Sequence, residues 1–341
     1  MNAIDLRSDT VTKPSKAMME AMFSAEVGDD VFKEDPTIIE LEKFSANLFG
    51  KEAALFCPSG TMTNQIAIKV HTQPGDELIC DVNSHIYNYE GGGISFNSGV
   101  QAKLLPGNEG RLSPELIEPA INGDFDWLTR TSLVSLENTV NRAGGSYYTL
   151  DQIKPIHAFC QKHNLKLHLD GARIFNALAE SNETPKQIGE YFDSISICMS
   201  KGLGAPIGSL LLGEKDFIRK ARRIRKIFGG GMRQAGILAA AGLYALKNNV
   251  TRLKEDHARA KKLGDVLNKL GYVDSVLPVY TNIVIFHLKP EKITGDAFEK
   301  KLSENNIKIS AFGKHTIRMV THLDFDDTML EKTIGVLKKI E

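Results

Sequence analysis

His168-Leu-Asp170-Gly-Ala-Arg173 and Ser200-Lys201-Gly202-Leu-Gly204 each follow an apolar stretch that reads as a buried strand, 165–169 and 195–199. The first run carries a carboxylate at its strand end and the second an amine, 31 residues apart. That interval suits a strand, a crossover helix and a second strand. Open α/β sheets bind their ligands outside the carboxyl ends of the strands. An acid and an amine brought together there point to pyridoxal 5′-phosphate (PLP), with the lysine as Schiff base and the aspartate as partner of the ring nitrogen. A surface ion pair explains the charges, but neither the apolar runs before both residues nor the glycines around the lysine.

Outward from this pair, strand-like and helix-like stretches alternate. Asp35-Pro36 opens a helix as N-cap and first-turn proline, and Gly50 closes it. Stretches 53–57, 77–81, 132–136, 165–169, 194–199 and 207–212 read as strands. The alternation predicts an α/β fold with a mostly parallel central sheet flanked by helices. From about residue 214 the pattern turns helical, with Arg233 opening a long Ala- and Leu-rich helix and 254–270 forming an amphipathic one. Beyond it, 283–288 and 317–320 read as strands, with helices near 295–305 and 328–340. The predicted division is a large domain over 1–250, containing an N-terminal substrate-site segment, and a smaller C-terminal α/β domain over 251–341.

The 341 residues are enough for one large and one smaller core. Lys plus Arg and Asp plus Glu each number 42, so no net charge draws the chain to nucleic acid or a membrane surface. No apolar run approaches the ~18 residues of a membrane span, and the N-terminal stretch lacks the apolar core of a signal peptide. The expectation is a cytoplasmic enzyme without a metal site. Cys57, Cys80, Cys160 and Cys198 have no metal-type spacing and read as buried free thiols.

Further candidates follow other predicted strands. Pro58-Ser-Gly60-Thr61 opens a helix whose amides and hydroxyls would cradle a phosphate; alone, it would read as an ordinary capped helix start. His85 also follows a strand, where an imidazole could lie against a flat cofactor ring. Arg173 is open to two readings, a cofactor or substrate contact and a helix-face salt bridge. Arg318, alternating with apolar residues in Thr316-Ile-Arg318-Met-Val320, is the best candidate for binding an amino-acid carboxylate bidentately, and Arg7 competes with it.

Taken in order, these runs resemble the L-threonine aldolase family of fold-type-I PLP enzymes over nearly the whole chain. The carrying motifs are Asp5-Leu-Arg-Ser8-Asp9, Gly28-Asp-Asp-Val, Glu34-Asp35-Pro36-Thr, Ser59-Gly60-Thr61 with Asn64, and Leu136-Glu137-Asn138-Thr139. They continue through the Asp170 and Lys201 runs to Gly229-Gly-Gly-Met-Arg233-Gln and Arg318-Met-Val-Thr-His322. The resemblance implies retro-aldol cleavage of L-threonine or L-allo-threonine to glycine and acetaldehyde. It assigns Lys201 to the covalent link with PLP, Asp170 to the ring nitrogen, His85 to stacking, Gly60 and Thr61 to the phosphate, and Ser8 and Arg318 to the substrate carboxylate, with Arg173 nearby. It also implies that Lys226 and Arg233 reach a neighbouring subunit's phosphate region in a homo-oligomer, usually a tetramer, with shared sites.

The chain departs from the family pattern at three places. Asp124-Phe-Asp126-Trp127 stands where an Asp-Ile-His stretch is common, which would put Trp127 at the substrate hydroxyl; Val140 and Phe32-Lys33 also differ. Neither Trp127 nor Val140 accepts a proton, so the base would be His85 or an ordered water. A β-eliminating lyase or an amino-acid racemase would use the same Lys-Asp-Arg apparatus. A non-catalytic binding protein would not need it intact.

Overall fold

The computed structural model describes residues 3–340; the first two residues of the N-terminal stretch read above lie outside them. Its first eight strands are β1 (Ile4–Asp5), β2 (Ala53–Cys57), β3 (Asp76–Asp81), β4 (Gln101–Leu105), β5 (Arg130–Glu137), β6 (Lys166–Gly171), β7 (Ser194–Cys198) and β8 (Ser209–Gly213). Five follow in the C-terminal part: β9 (Val273–Val276), β10 (Ile283–Leu288), β11 (Ile307–Lys308), β12 (Ser310–Ala311) and β13 (Thr316–Val320).

The large sheet has seven strands in the order β2-β8-β7-β6-β5-β3-β4. Only β8 runs against its neighbours, so the sheet is mostly parallel, as the alternation predicts. Strands β6 and β7 are almost wholly buried because helices cover both faces. One face packs with the helix Pro36–Phe49, through Ile38, Leu41 and Phe49. The other packs with the helices Gly60–His71 and Lys215–Ile227, through Ile66, Ile218 and Ala221. Asp35 caps the first of these helices by accepting the Ile38 N–H at 3.0 Å, and Gly50 ends it with φ 64°.

Register fixes the site. Glu137 pairs with Asp170 across β5 and β6, and Asp170 with Ser196 across β6 and β7. The ends of three parallel strands thus stand level, and Lys201 follows just beyond β7. Two expectations shift. Strand β4 was not foreseen, and the long helix predicted from Arg233 starts at Gly236, whose N–H is taken by Asp35 at 2.8 Å.

The C-terminal part builds an antiparallel sheet, β12-β13-β10-β9, with its own apolar core. Helices Leu253–Leu267, Gly295–Glu304 and Asp327–Leu337 contribute to that core. The N-terminal segment joins it: β1 pairs with β11, and Ile4 and Leu6 are buried there. All four cysteines are free and buried.

Candidate active site

A cleft at the carboxyl ends of the parallel strands is lined by Lys201, Asp170, His85, Gly60 and Thr61, with Asn64 and Glu90. Five residues from four separate sequence motifs are therefore brought to one place. Asp170 is 2 % exposed and accepts the Asn64 amide at 2.9 Å and the Ala172 N–H at 3.2 Å. Asn64 also donates to Glu90 at 2.9 Å. With its NH₂ aimed at two carboxylates, Asn64 turns its carbonyl to His168 Nε2, 3.1 Å away, so that nitrogen is the donor. Burial pushes His168 down to about 4 and keeps it neutral. Its Nδ1 then accepts from Ser194 Oγ at 2.8 Å, and that oxygen in turn takes the His71 Nε2–H at 2.8 Å. Placed two residues apart on one strand face, His168 and Asp170 both meet Asn64, and a chain of fixed polarity backs the aspartate.

The His85 ring is tied at Nδ1 to Glu90, 3.0 Å away. Glu90 has no exposed side-chain surface and takes Gln65 Nε2 at 2.7 Å as well. Burial works against a charged imidazole, but the Glu90 bond and the Asp170 charge outweigh it and raise His85 above the ordinary histidine value. One side-chain atom from each of His85, Glu90 and Asp170 lies within 4.8 Å of the others. The Glu90-Gly-Gly-Gly93 run is thus a turn that drives a carboxylate under the histidine, with Gly91 and Gly92 at φ 62° and 73°.

Ser59 caps the helix Gly60–His71 through Met62 N at 3.2 Å. The earlier amides, on Gly60 and Thr61, have no partner within the helix and lie at the cleft. A Cβ on Gly60 would sit 2.4 Å from Cys198 Sγ, so the helix approaches β7 too closely for any side chain there.

Arg173 is held in a buried pair with Asp9 by two hydrogen bonds of 2.7 Å. Although burial opposes it, the Arg173 guanidinium holds the Asp9 carboxyl well below the usual carboxylate range, and Lys201 adds to the effect. The ion pair of Arg173 is made with a residue from the far N-terminus and not along the helix.

Arg318 is 8 % exposed, donates to Asn141 Oδ1 at 2.7 Å and to the Arg7 carbonyl at 2.9 Å, and lies 4.2 Å over the Phe312 ring. Its buried Nε has no partner. Burial and the nearby Arg173 charge push it down to about 10, the mark of a cation short of an anion. The competing Arg7 is spent on Asp5, at 2.9 and 2.5 Å, with about half its side chain exposed. Ser8 caps the turn Asp9–Val11 by accepting Thr10 N at 3.2 Å.

Six predicted residues lie outside the lining of this cleft in their own chain: Ser8, Arg173 and Arg318, placed above, and Trp127, Lys226 and Arg233. Trp127 is 77 % exposed, stacked on Phe125, and precedes β5, at the amino end of its own chain's parallel strands. The full length of β5 separates it from Asp170. Lys226 lies in a basic groove with Arg222 and Arg223, and Arg233 pairs with Asp29 at 2.9 Å. Val140 is buried against Gly110.

Sequence reasoning missed Glu90, Asp9, Asn141 and the role of Glu137. Burial and the Asp170 charge push the Glu137 carboxyl up to about 7, and it accepts two backbone N–H groups. The signal for Glu137 was present: like Asp170, it closes a buried apolar strand.

Residues 5–291 match the family model described as beta-eliminating lyase. The chain is 44% identical to the low specificity L-threonine aldolase of Escherichia coli strain K12 over 322 residues, 94% of each chain. It is 42% identical to a probable low-specificity L-threonine aldolase of Arabidopsis thaliana, over 100% of this chain and 98% of that one. The Leishmania major threonine aldolase superposes with a TM-score of 0.84 at 22% identity, over 98% of this chain and 99% of that one. A serine palmitoyltransferase of Sphingomonas wittichii superposes at 0.77 and 17% identity, over 99% and 87%. The solved structures show the fold, which is that of the fold-type-I PLP enzymes.

Proposed function

Because the chain belongs to the beta-eliminating lyases and, among them, to the low-specificity L-threonine aldolases, we propose that the cleft between Lys201 and Asp170 holds PLP and cleaves L-threonine and L-allo-threonine to glycine and acetaldehyde. The observation that carries this reading is the meeting of Lys201, Asp170, His85 and the Gly60–Thr61 amides in one cleft. The residues fit the cofactor on structural grounds. Gly60 and Thr61 offer helix-start amides to a phosphate, at a point where a Cβ would collide with Cys198. When bound, PLP supplies the electron sink for the Cα–Cβ bond that breaks.

The protein's part is placement and charge. Lys201 offers its amine to the cofactor carbonyl. Asp170, its carboxylate fixed by Asn64 and Ala172, holds a proton on the ring nitrogen. His85 covers the ring. Arg318, desolvated and with an unsatisfied Nε, takes the substrate carboxylate and so sets which bond stands across the ring plane. Arg173 and Ser8 stand close by. His85, or a water beside it, removes the β-hydroxyl proton; the Glu90 bond makes the ring a stronger base.

The same reading makes the enzyme a cytoplasmic homotetramer, divided near residue 250, with Lys226 and Arg233 serving a neighbour's phosphate. What supports the last point is that Lys226 lies in a surface groove with Arg222 and Arg223, and that about half of the Arg233 side chain is exposed beside Asp29.

Product analysis tests the reaction. With PLP and either diastereomer, the enzyme should release glycine and acetaldehyde in equal amounts, and Lys201→Ala should abolish both. Ammonia with a keto acid, or a D-amino acid, as the main product would refute the aldolase reading.

A further inference from the structure

Glu137 does not line the cleft, yet one of its oxygens holds a residue that does and the other holds the residue bonded to Arg318. Oε2 accepts the His85 N–H at 2.8 Å, and Oε1 accepts the Asn141 N–H at 3.0 Å. One bond leads to the cleft's His85, the other toward the Arg318 guanidinium. His85 opens the short helix His85–Asn88, and no side chain of Ser84 caps it. Asn141 carries Arg318, through the 2.7 Å bond from Nη1 to its Oδ1.

We infer that Glu137 is a positioning residue that sets the span between the His85 ring and the Arg318 guanidinium, and so the place of the amino acid relative to the cofactor. This rests on the reading above, in which PLP lies under His85 and the substrate carboxylate on Arg318.

A carboxylate is the side chain the position needs. It presents two acceptors on one rigid fork, whereas glutamine has one oxygen and would set an NH₂ against the second backbone N–H. The fork is kept at a cost, since burial and the paired Asp170 push the Glu137 carboxyl up to about 7. An apolar or amide side chain would fill the space without that cost. The two backbone N–H groups account for the acid.

The test compares Glu137→Gln, Asn141→Ala and the double variant in PLP-loaded enzyme. E137Q should shift the visible band of the lysine-bound cofactor, weaken PLP binding, and raise KM for L-threonine about tenfold, the effect of losing one buried hydrogen bond. N141A should raise KM and leave the band in place. The double variant should have a KM no higher than the worse single one, because both act on one route to Arg318. An E137Q enzyme with wild-type band and KM, or effects on KM that multiply, would overturn the role of Glu137. A wild-type enzyme that forms no band or cleaves no threonine would instead sink the functional reading itself. If E137Q does not fold, amide exchange in the wild-type apoenzyme decides. The His85 and Asn141 amides should exchange at least about 100-fold more slowly than open loop amides, and exchange at loop rates would contradict the clamp.

Discussion

Asp9 and Arg173 meet through two 2.7 Å bonds with almost no solvent access, at 0% and 5% side-chain exposure. Breaking such a pair from one side strands a buried charge, which costs about 3–5 kcal/mol. Asp9→Asn should therefore lower unfolding free energy by that amount in urea titrations. It should also disturb Arg318, which feels Arg173's charge. His168 gives a prediction with a definite sign. Its folded value lies near 4, below the ordinary 6.5, so protons bind the unfolded chain first as pH falls. Stability from a neutral His168 is whole above about pH 6.5 and drains away on acidification toward about 4. Between pH 7.5 and pH 5 the loss from this group should be about 2 kcal/mol. His168→Gln, which keeps a donor and an acceptor, should remove that much of the acid dependence; an unchanged dependence would contradict the neutral assignment.

Among the elements, the helix start at Gly60 is the tightest joint. A Cβ at Gly60 would stand 2.4 Å from Cys198 Sγ. Gly60→Ala should destabilise by about 1–3 kcal/mol, as overpacking does, and weaken PLP binding. Adding Cys198→Ala removes the colliding sulfur and should restore most of both, read by thermal unfolding and cofactor titration.

Elements also show what was legible. Strands β2, β3 and β5–β8 could be read because each is an almost wholly buried stretch of five to eight residues carrying at least two Leu, Ile, Val or Ala residues. Strand β4, Gln101-Ala-Lys-Leu-Leu105, sits at the sheet edge, only partly buried, and carries no such signal. The same limit applies at the site. Asp170, Lys201 and His85 announced themselves by following strands. Asp9 and Asn141 act through partners 164 and 177 residues away, and no local pattern encodes that. Trp127 shows a related limit: motif alignment locates a residue along the chain, whereas the parallel sheet decides which end of its own chain's sheet it stands on.

For the whole molecule, the cleft and the arginine proposed to take the substrate carboxylate come from different parts of the chain. Arg318 comes from β13 in the C-terminal sheet, and its partner Asn141 from the loop after β5 in the large one. The N-terminal segment crosses between them, pairing β1 with β11 while Asp9 reaches Arg173. Arg318→Lys keeps the charge but loses the planar fork. It should raise KM for threonine at least tenfold, about 1.4 kcal/mol, while PLP still binds and colours the enzyme. Loss of the colour together with the affinity would mean that Arg318 holds the fold and not the substrate.

Covalent trapping bears most directly on the central claim, that Lys201 and Asp170 frame the cofactor. PLP-loaded enzyme is reduced with borohydride, digested, and the peptides weighed. The account predicts one pyridoxyl group per chain, on the peptide containing Lys201, and loss of threonine cleavage in step with its incorporation. A pyridoxyl group on another lysine, or full activity after reduction, would contradict it.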